Sequence, residues 1–425
     1  MDLTFYRRAG RCFVSNLADL PLEKTKMPTE DTPLTWLFSR NPKSGRAAFS
    51  VSDIRQLTAA REDIRFLDPD RLPAVSPPPP RWLMQRIDAG ALPAVNFRHP
   101  RWEELAGRVP SFQPGKVRVN LLAAGDVGST LLIGLKLLGA GCISSIGVCD
   151  LRKEAVARWT AELGQVSWPW DYHALPEIEP VSPEHLFDCD VFIFTATKGV
   201  PPVGAEVQDV RMAQLKSNRS MVETYARQAR QTRFGGLFCV ASDPVDPLCE
   251  AAFLSSNTGK DGLWDGLGLL PEQIRGFGLG VMNARAAYLA KQVPQYRSFL
   301  EEGRTFGPHG QGLVVANSIK NYDDGISRAL TQETIAANLC IRNLGFKPYV
   351  APALSSCAFQ LLLLLRGQWH CSSVPLGGIW FGCRNRMISA GIETETLAMP
   401  DMLFERLSET ETALRGALQA EKGEP

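Results

Sequence analysis

No two cysteines in this 425-residue chain are spaced Cys-x-x-Cys, and the ten that occur are scattered, with Cys142 and Cys149 seven apart. That gives no metal-ligand pattern, so no metal site is expected, and reduced thiols in a cytoplasmic protein are the default. An excess of charge of one sign is also lacking: 46 Lys and Arg stand against 45 Asp and Glu. Nothing in that balance draws the chain to nucleic acid or to an acidic membrane. The start, Met1-Asp2-Leu3-Thr4-Phe5-Tyr6-Arg7-Arg8, has no apolar stretch of the kind a secretory signal needs. The run from Tyr349 to Leu365 carries no charge, but it is short for a bilayer and contains Pro352 and two serines. A buried core helix is therefore expected there, with no membrane span. What remains is ordinary globular usage, 44% hydrophobic and 21% charged, at a length that suits two or three domains.

No internal repeat is visible. The clearest break is Ser76-Pro77-Pro78-Pro79-Pro80-Arg81-Trp82, because four consecutive prolines favour an extended polyproline conformation and stop a helix or a central strand. Residues 1–75 before it read as a separate N-terminal extension. Apolar runs around Ala9-Gly10 and Ser44-Gly45 suggest hairpins over Thr4–Ser15 and Thr35–Val51. Residues 76–115 read as a Pro-rich linker and lead-in. From Lys116 the pattern changes to apolar strands over Lys116–Leu122, Ile143–Cys149, Cys189–Thr195 and Gly235–Ala241, with helical spacing over Gly125–Leu138 and Val207–Arg230. Alternating strands and helices predict an α/β fold with a doubly wound parallel sheet over 116–281. An α+β domain over 282–415 and a tail over 416–425 complete the division.

Ala123-Ala124-Gly125-Asp126-Val127-Gly128 joins the first strand of that region to its first helix. A Rossmann phosphate loop needs small residues for a tight turn, for close approach of a pyrophosphate and for helix–strand packing. Gly125 and Gly128 fill the second and third positions, and Ala123 stands at the first. The pyrophosphate lies on the helix N-terminus, where unpaired N–H groups favour anions. Asp150 follows Gly128 by 22 residues at the end of the second strand, placed to accept hydrogen bonds from ribose hydroxyls. Thr195, at the end of a later strand, joins the same cofactor set. The Asp150 charge disfavours a 2′-phosphate and points to NAD. Arg152 and Lys153 stand close enough to receive such a phosphate, so NADP is the second choice.

Three further segments add chemistry: Ala241-Ser242-Asp243-Pro244-Val245-Asp246, Gly276-Phe277-Gly278-Leu279-Gly280-Val281-Met282-Asn283-Ala284-Arg285, and Phe306-Gly307-Pro308-His309-Gly310-Gln311-Gly312. In this order they resemble the lactate and malate dehydrogenase family, from about Lys116 to about Arg415. The resemblance implies that His309 passes a proton to and from the substrate oxygen, a task suited to an imidazole. It implies that Arg285, 24 residues earlier, grips a substrate carboxylate with two parallel hydrogen bonds. Arg211, 32 residues before Asp243, matches the arginine of the loop over the site that polarises the carbonyl. Thr197-Lys198-Gly199-Val200-Pro201-Pro202-Val203-Gly204 replaces the family's substrate-specificity segment and contains no arginine. A homodimer or tetramer is implied by the same resemblance.

Three positions depart from the family. Met282 stands where an aspartate holds the catalytic histidine, and a thioether cannot orient an imidazole or stabilise its cation. The adjacent Asn283 is a candidate substitute. Asp243 replaces an asparagine and puts a carboxylate near the nicotinamide carboxamide, at a distance from His309 that the sequence does not fix. Lys347 falls in a segment that lines the family's substrate pocket, where it either binds a further acidic group or is a solvated helix-start lysine. Cys371 and Cys383 bound the family's C-terminal strands and are expected to be buried. The expected activity is NAD-dependent hydride transfer to or from a small carboxylate-bearing substrate, a 2-oxo or 2-hydroxy acid or an imine analogue. The alternative is a non-catalytic NAD-binding protein whose N-terminal region binds a partner.

Overall fold

Six parallel strands form the centre of the molecule, which a computed structural model describes over residues 1–29, 32–107, 115–198 and 207–422. Side chains of residues 207–214 and 418–422 lie outside that description. In chain order the strands are β1 (Thr4–Arg8), β2 (Arg11–Ser15), β3 (Glu23–Thr25), β4 (Leu34–Phe38), β5 (Ala48–Ser50), β6 (Pro93–Asn96), β7 (Val117–Leu122), β8 (Ile143–Cys149), β9 (Glu177–Pro180), β10 (Val191–Phe194), β11 (Leu237–Val240), β12 (Ile274–Gly276), β13 (Arg304–Phe306), β14 (Val314–Ala316), β15 (His370–Leu376), β16 (Ile379–Ile388) and β17 (Gly391–Thr394). The larger sheet runs β17-β16-β15-β12-β11-β10-β7-β8-β9. Its β7–β12 part is parallel and carries the Rossmann order, with the direction of winding reversing between β7 and β10. Such a reversal opens a crevice at the carboxyl ends of the strands, where ligands of open α/β sheets bind.

The central strands are covered on both faces and read as apolar runs rather than alternating ones. Val191, Phe192, Ile193 and Phe194 are all buried. Val119, Leu121 and Ile193 face one core with Leu131, Leu135 and Leu361, whereas Phe192, Phe194 and Phe238 face the other with Val222, Ala226 and Leu248. The charge-free run around Leu361 forms a π-helical turn, Pro352–Ala358, continuing into the helix Phe359–Leu365. It packs on the helix Asp126–Leu138, where a Cβ at Gly134 would stand 2.8 Å from Leu354 Cδ2. The buried-core expectation for this segment holds, and among the described residues no helix is long and apolar enough to cross a membrane.

The N-terminal residues form a second sheet of order β3-β1-β2-β4-β6-β5. The hairpin expected over Thr4–Ser15 is present, with Ala9 and Gly10 both at positive φ in the turn. The one expected over Thr35–Val51 is not, because β6 lies between β4 and β5. The Asn96 side chain accounts for this insertion. It accepts from the Arg40 N–H at 3.2 Å and donates to the Arg40 carbonyl at 3.1 Å, so the chain leaving β4 is tied to β6. A strand beyond the proline run thus belongs to the N-terminal sheet.

This sheet shares one hydrophobic core with the C-terminal strands: Trp36, Phe38 and Phe49 cluster with Val374, Phe381 and Ile392. A charged group sits in the contact. Glu272 accepts from the Ala47 N–H and, at 2.8 Å, from the Ala48 N–H, while its other oxygen is buried without a partner. Burial pushes its carboxyl up from the ordinary 4.5 to about 7, against the two backbone bonds and the nearby Arg46. An acid with a raised folded-state pKa takes up a proton on folding, so stability falls as pH rises from about 4.5 through 7. Glu272→Gln should remove that dependence, and its stability advantage over the native chain should grow by up to ~3 kcal/mol between these limits. Chemical denaturation at pH 5 and pH 8 checks this; an unchanged difference would mean that Glu272 stays ionised in the folded protein.

Candidate active site

β7 ends in a loop whose geometry explains its residues. Ala123 has φ 76°, a left-handed conformation that costs an alanine about 1 kcal/mol. Gly128 is required by contact, since a Cβ there would lie 2.1 Å from the Ala123 carbonyl oxygen and 2.8 Å from Thr195 Oγ1. Over Gly125 the space is open, with no atom within 4 Å of the site a Cβ would take. Gly125 is also the N-cap of the helix Asp126–Leu138, whose first turn has no side-chain cap. Open space above uncapped N–H groups fits a pyrophosphate. Val127 is half-buried at the start of that helix.

Thr195 and Asp150 hold this loop from below. Thr195 Oγ1 lies 2.8 Å from the Leu122 carbonyl and 2.6 Å from the Ala123 carbonyl. Asp150 accepts the Ala124 N–H at 2.8 Å on one oxygen and the Arg152 N–H at 2.9 Å on the other. Each carboxylate oxygen keeps a second lone pair, so holding the loop leaves acceptors for ribose hydroxyls. Lys347 comes to this loop as well, its Nζ 3.0 Å from Asp126 Oδ2.

The ends of β11 and β12 bring the second group together. His309 lies in a loop with three positive-φ glycines, Gly307, Gly310 and Gly312. Gly278 lets the loop approach, since a Cβ there would stand 2.8 Å from His309 Cβ. His309 Nδ1 is 3.0 Å from Asp243 Oδ1. The carboxylate that meets His309 thus comes from the turn after β11, a partnership the sequence left undetermined. Asn218, fully buried, secures that turn. Its amide donates to the Asp243 carbonyl at 2.8 Å, and its oxygen accepts the Lys198 N–H at 3.0 Å. Sequence reading passed over Asn218, because an asparagine inside a helix carries no signal of a contact 25 residues away.

Met282 is buried, and its sulfur lies 3.7 Å from Arg285 Nη1. Burial lowers the Arg285 pKa, with the Asp243 charge opposing the shift. Asn283 is engaged by the Thr305 hydroxyl at 3.4 Å. Asp246 is a second buried acid, pushed up to about 6 by burial, while a Ser373 hydrogen bond and the attraction of His309 pull the other way. The Arg211 side chain lies outside the described residues, as does the segment from Gly199 to Gly204. Cys383 is buried and Cys371 half-buried, and among the described residues no group of His, Cys, Asp and Glu could hold a metal ion.

No family model matches the chain. Over 150 residues, 34% of its length, it is 26% identical to an L-lactate dehydrogenase of Lactobacillus helveticus, and the chain spans 42% of the length of that curated relative. Two solved structures resemble it along nearly their whole length. A minor L-lactate dehydrogenase from Enterococcus mundtii gives a TM-score of 0.58 at 18% identity, covering 72% of this chain and 99% of its own. A malate dehydrogenase from Archaeoglobus fulgidus, in complex with NADH, gives 0.55 at 16% identity, covering 71% and 99%. These structural likenesses show the fold.

The loop geometry makes a paired prediction. Gly128→Ala should displace the Ala123 carbonyl and weaken NADH binding at least about tenfold. Ala123→Gly should instead stabilise the fold by roughly 1 kcal/mol, because the left-handed strain is relieved. Fluorescence titration with NADH and thermal unfolding read the two effects; tight NADH binding by Gly128→Ala would refute the contact argument.

Proposed function

We propose, for a chain that belongs at low sequence identity to the lactate and malate dehydrogenase family, that it is an NAD-dependent oxidoreductase acting on a small carboxylate-bearing substrate. The observation that carries this reading is the 3.0 Å contact between His309 Nδ1 and Asp243 Oδ1. A carboxylate on Nδ1 fixes the tautomer and leaves Nε2 to exchange a proton with the substrate. When bound, the nicotinamide supplies or accepts the hydride. Asp150, whose oxygens keep lone pairs for ribose hydroxyls, favours NAD over NADP because its charge repels a 2′-phosphate.

Arg285 is the carboxylate-binding group in this reading, mostly withdrawn from water and ready for a bidentate anion. Asp243 orients His309 and stabilises its cation as the proton arrives. The reacting group is a 2-oxo or 2-hydroxy acid, or an imine beside a carboxylate; Lys347 pairs with Asp126 at the phosphate loop. A homodimer or tetramer is carried over from the family as part of the same proposal.

Purified protein incubated with NADH and a panel of 2-oxo acids and imino acids should consume NADH with at least one of them. His309→Ala should lower kcat/KM by about 10²-fold or more, and Asp243→Asn by roughly tenfold to 10²-fold, with NADH binding nearly unchanged. Adding Met282→Asp to Asp243→Asn should recover part of the loss by restoring the family's acid. Firm NADH binding with no turnover of any substrate, native or variant, would instead favour a non-catalytic NAD-binding protein.

A further inference from the structure

We infer that Lys347 is a phosphate-binding residue of the dinucleotide site, held in readiness by Asp126; this rests on the dinucleotide reading above. The backbone places Lys347 firmly. The helix Asp324–Asn343 ends at Leu344, and Gly345, at φ 84°, turns the chain while its N–H bonds the Arg342 carbonyl at 2.9 Å. Immediately afterwards the Tyr349 N–H bonds the Lys347 carbonyl at 3.1 Å, and the chain enters the segment packed on the helix Asp126–Leu138. Lys347 is thus delivered to the phosphate loop from a position 221 residues away, with Nζ 3.0 Å from Asp126 Oδ2.

The charges define the role. Asp126 is the first residue of the helix whose uncapped N–H groups face the open space over Gly125. A carboxylate there suits the helix dipole but opposes a pyrophosphate, which carries two negative charges. The Lys347 ammonium cancels that opposition. Both side chains are more than half exposed, at 66% and 51%, so the ammonium can turn from Asp126 to a phosphate oxygen without leaving water. It has three donors and can keep Asp126 on one while giving another to phosphate. Arg152, a further cation, has its Nε 3.8 Å from Asp150 on the ribose side.

Equilibrium titrations with NADH, ADP-ribose and adenosine test this in the full chain and in Lys347→Met, Asp126→Asn and the double variant. Lys347→Met should weaken NADH and ADP-ribose roughly five- to twentyfold, leave adenosine unchanged, and reduce the salt dependence of binding. The same loss should persist in the Asp126→Asn background. Complete rescue by Asp126→Asn would overturn the inference, because Lys347 would then act only by neutralising Asp126. An equal loss for adenosine, or no loss for any ligand, would overturn it too while leaving the dinucleotide reading intact. If the native chain bound neither NADH nor ADP-ribose, both would fall.

Discussion

The contact between Asp243 and His309 joins two parts of the chain that share no secondary-structure element. Asp243 lies in the turn directly after β11, and His309 belongs to the glycine-rich loop between β13 and β14. Their meeting depends on close approaches that are steric before they are chemical. Gly278 must lack a side chain for the His309 loop to pass, and Asn218 must anchor the Asp243 carbonyl. The contact is thus produced by packing at the carboxyl edge of the sheet. That edge exists because β7, β10, β11 and β12 all end there.

The N-terminal sheet is part of the same mechanical system. Its apolar face is continuous with the core that contains Val374, Phe381 and Leu403, and the Arg71 side chain donates to the Met399 carbonyl at 2.9 Å. Glu272, beside β12, reaches into this sheet through the N–H groups of Ala47 and Ala48. Arg275, in β12, is fully buried, and burial lowers its pKa to about 10. Its three guanidinium nitrogens are buried without a hydrogen-bond partner among the described residues, a costly placement for a charge.

Much of this was legible in the sequence where the signal was local. The runs at Ile143–Cys149 and Val191–Phe194 had to be strands of a covered sheet, and the loop from Ala123 to Gly128 had to turn tightly. Polar or very short strands escaped: β9 reads Glu-Ile-Glu-Pro at the sheet edge, and β12 has three residues. The second N-terminal hairpin was misread because its strands look paired in sequence, while the partner of both is β6, more than 40 residues on. For Lys347 the sequence left open a pocket residue or a solvated helix-start lysine, and gave no sign of its 3.0 Å partner, Asp126 on the phosphate loop. Pairings over 66 or 221 positions leave no trace in periodicity, so the identity of the dyad acid required coordinates.

Moving the acid from the helix to the turn also changes what Arg285 meets. With Met282 three residues before it, the guanidinium has a thioether at 3.7 Å where the family pattern supplies a carboxylate nearby. Burial already works against the Arg285 charge, and the attraction of Asp243 opposes that shift. A desolvated cation without an adjacent anion gains more from an incoming carboxylate than one already neutralised. In the proposed function Met282 leaves Arg285 to an anionic ligand, and the half-exposed Asp243 orients His309, which exchanges the proton. On that proposal the arginine sits on the helix Leu279–Gln292 and the partner of His309 in the turn after β11, so the two tasks fall on different elements.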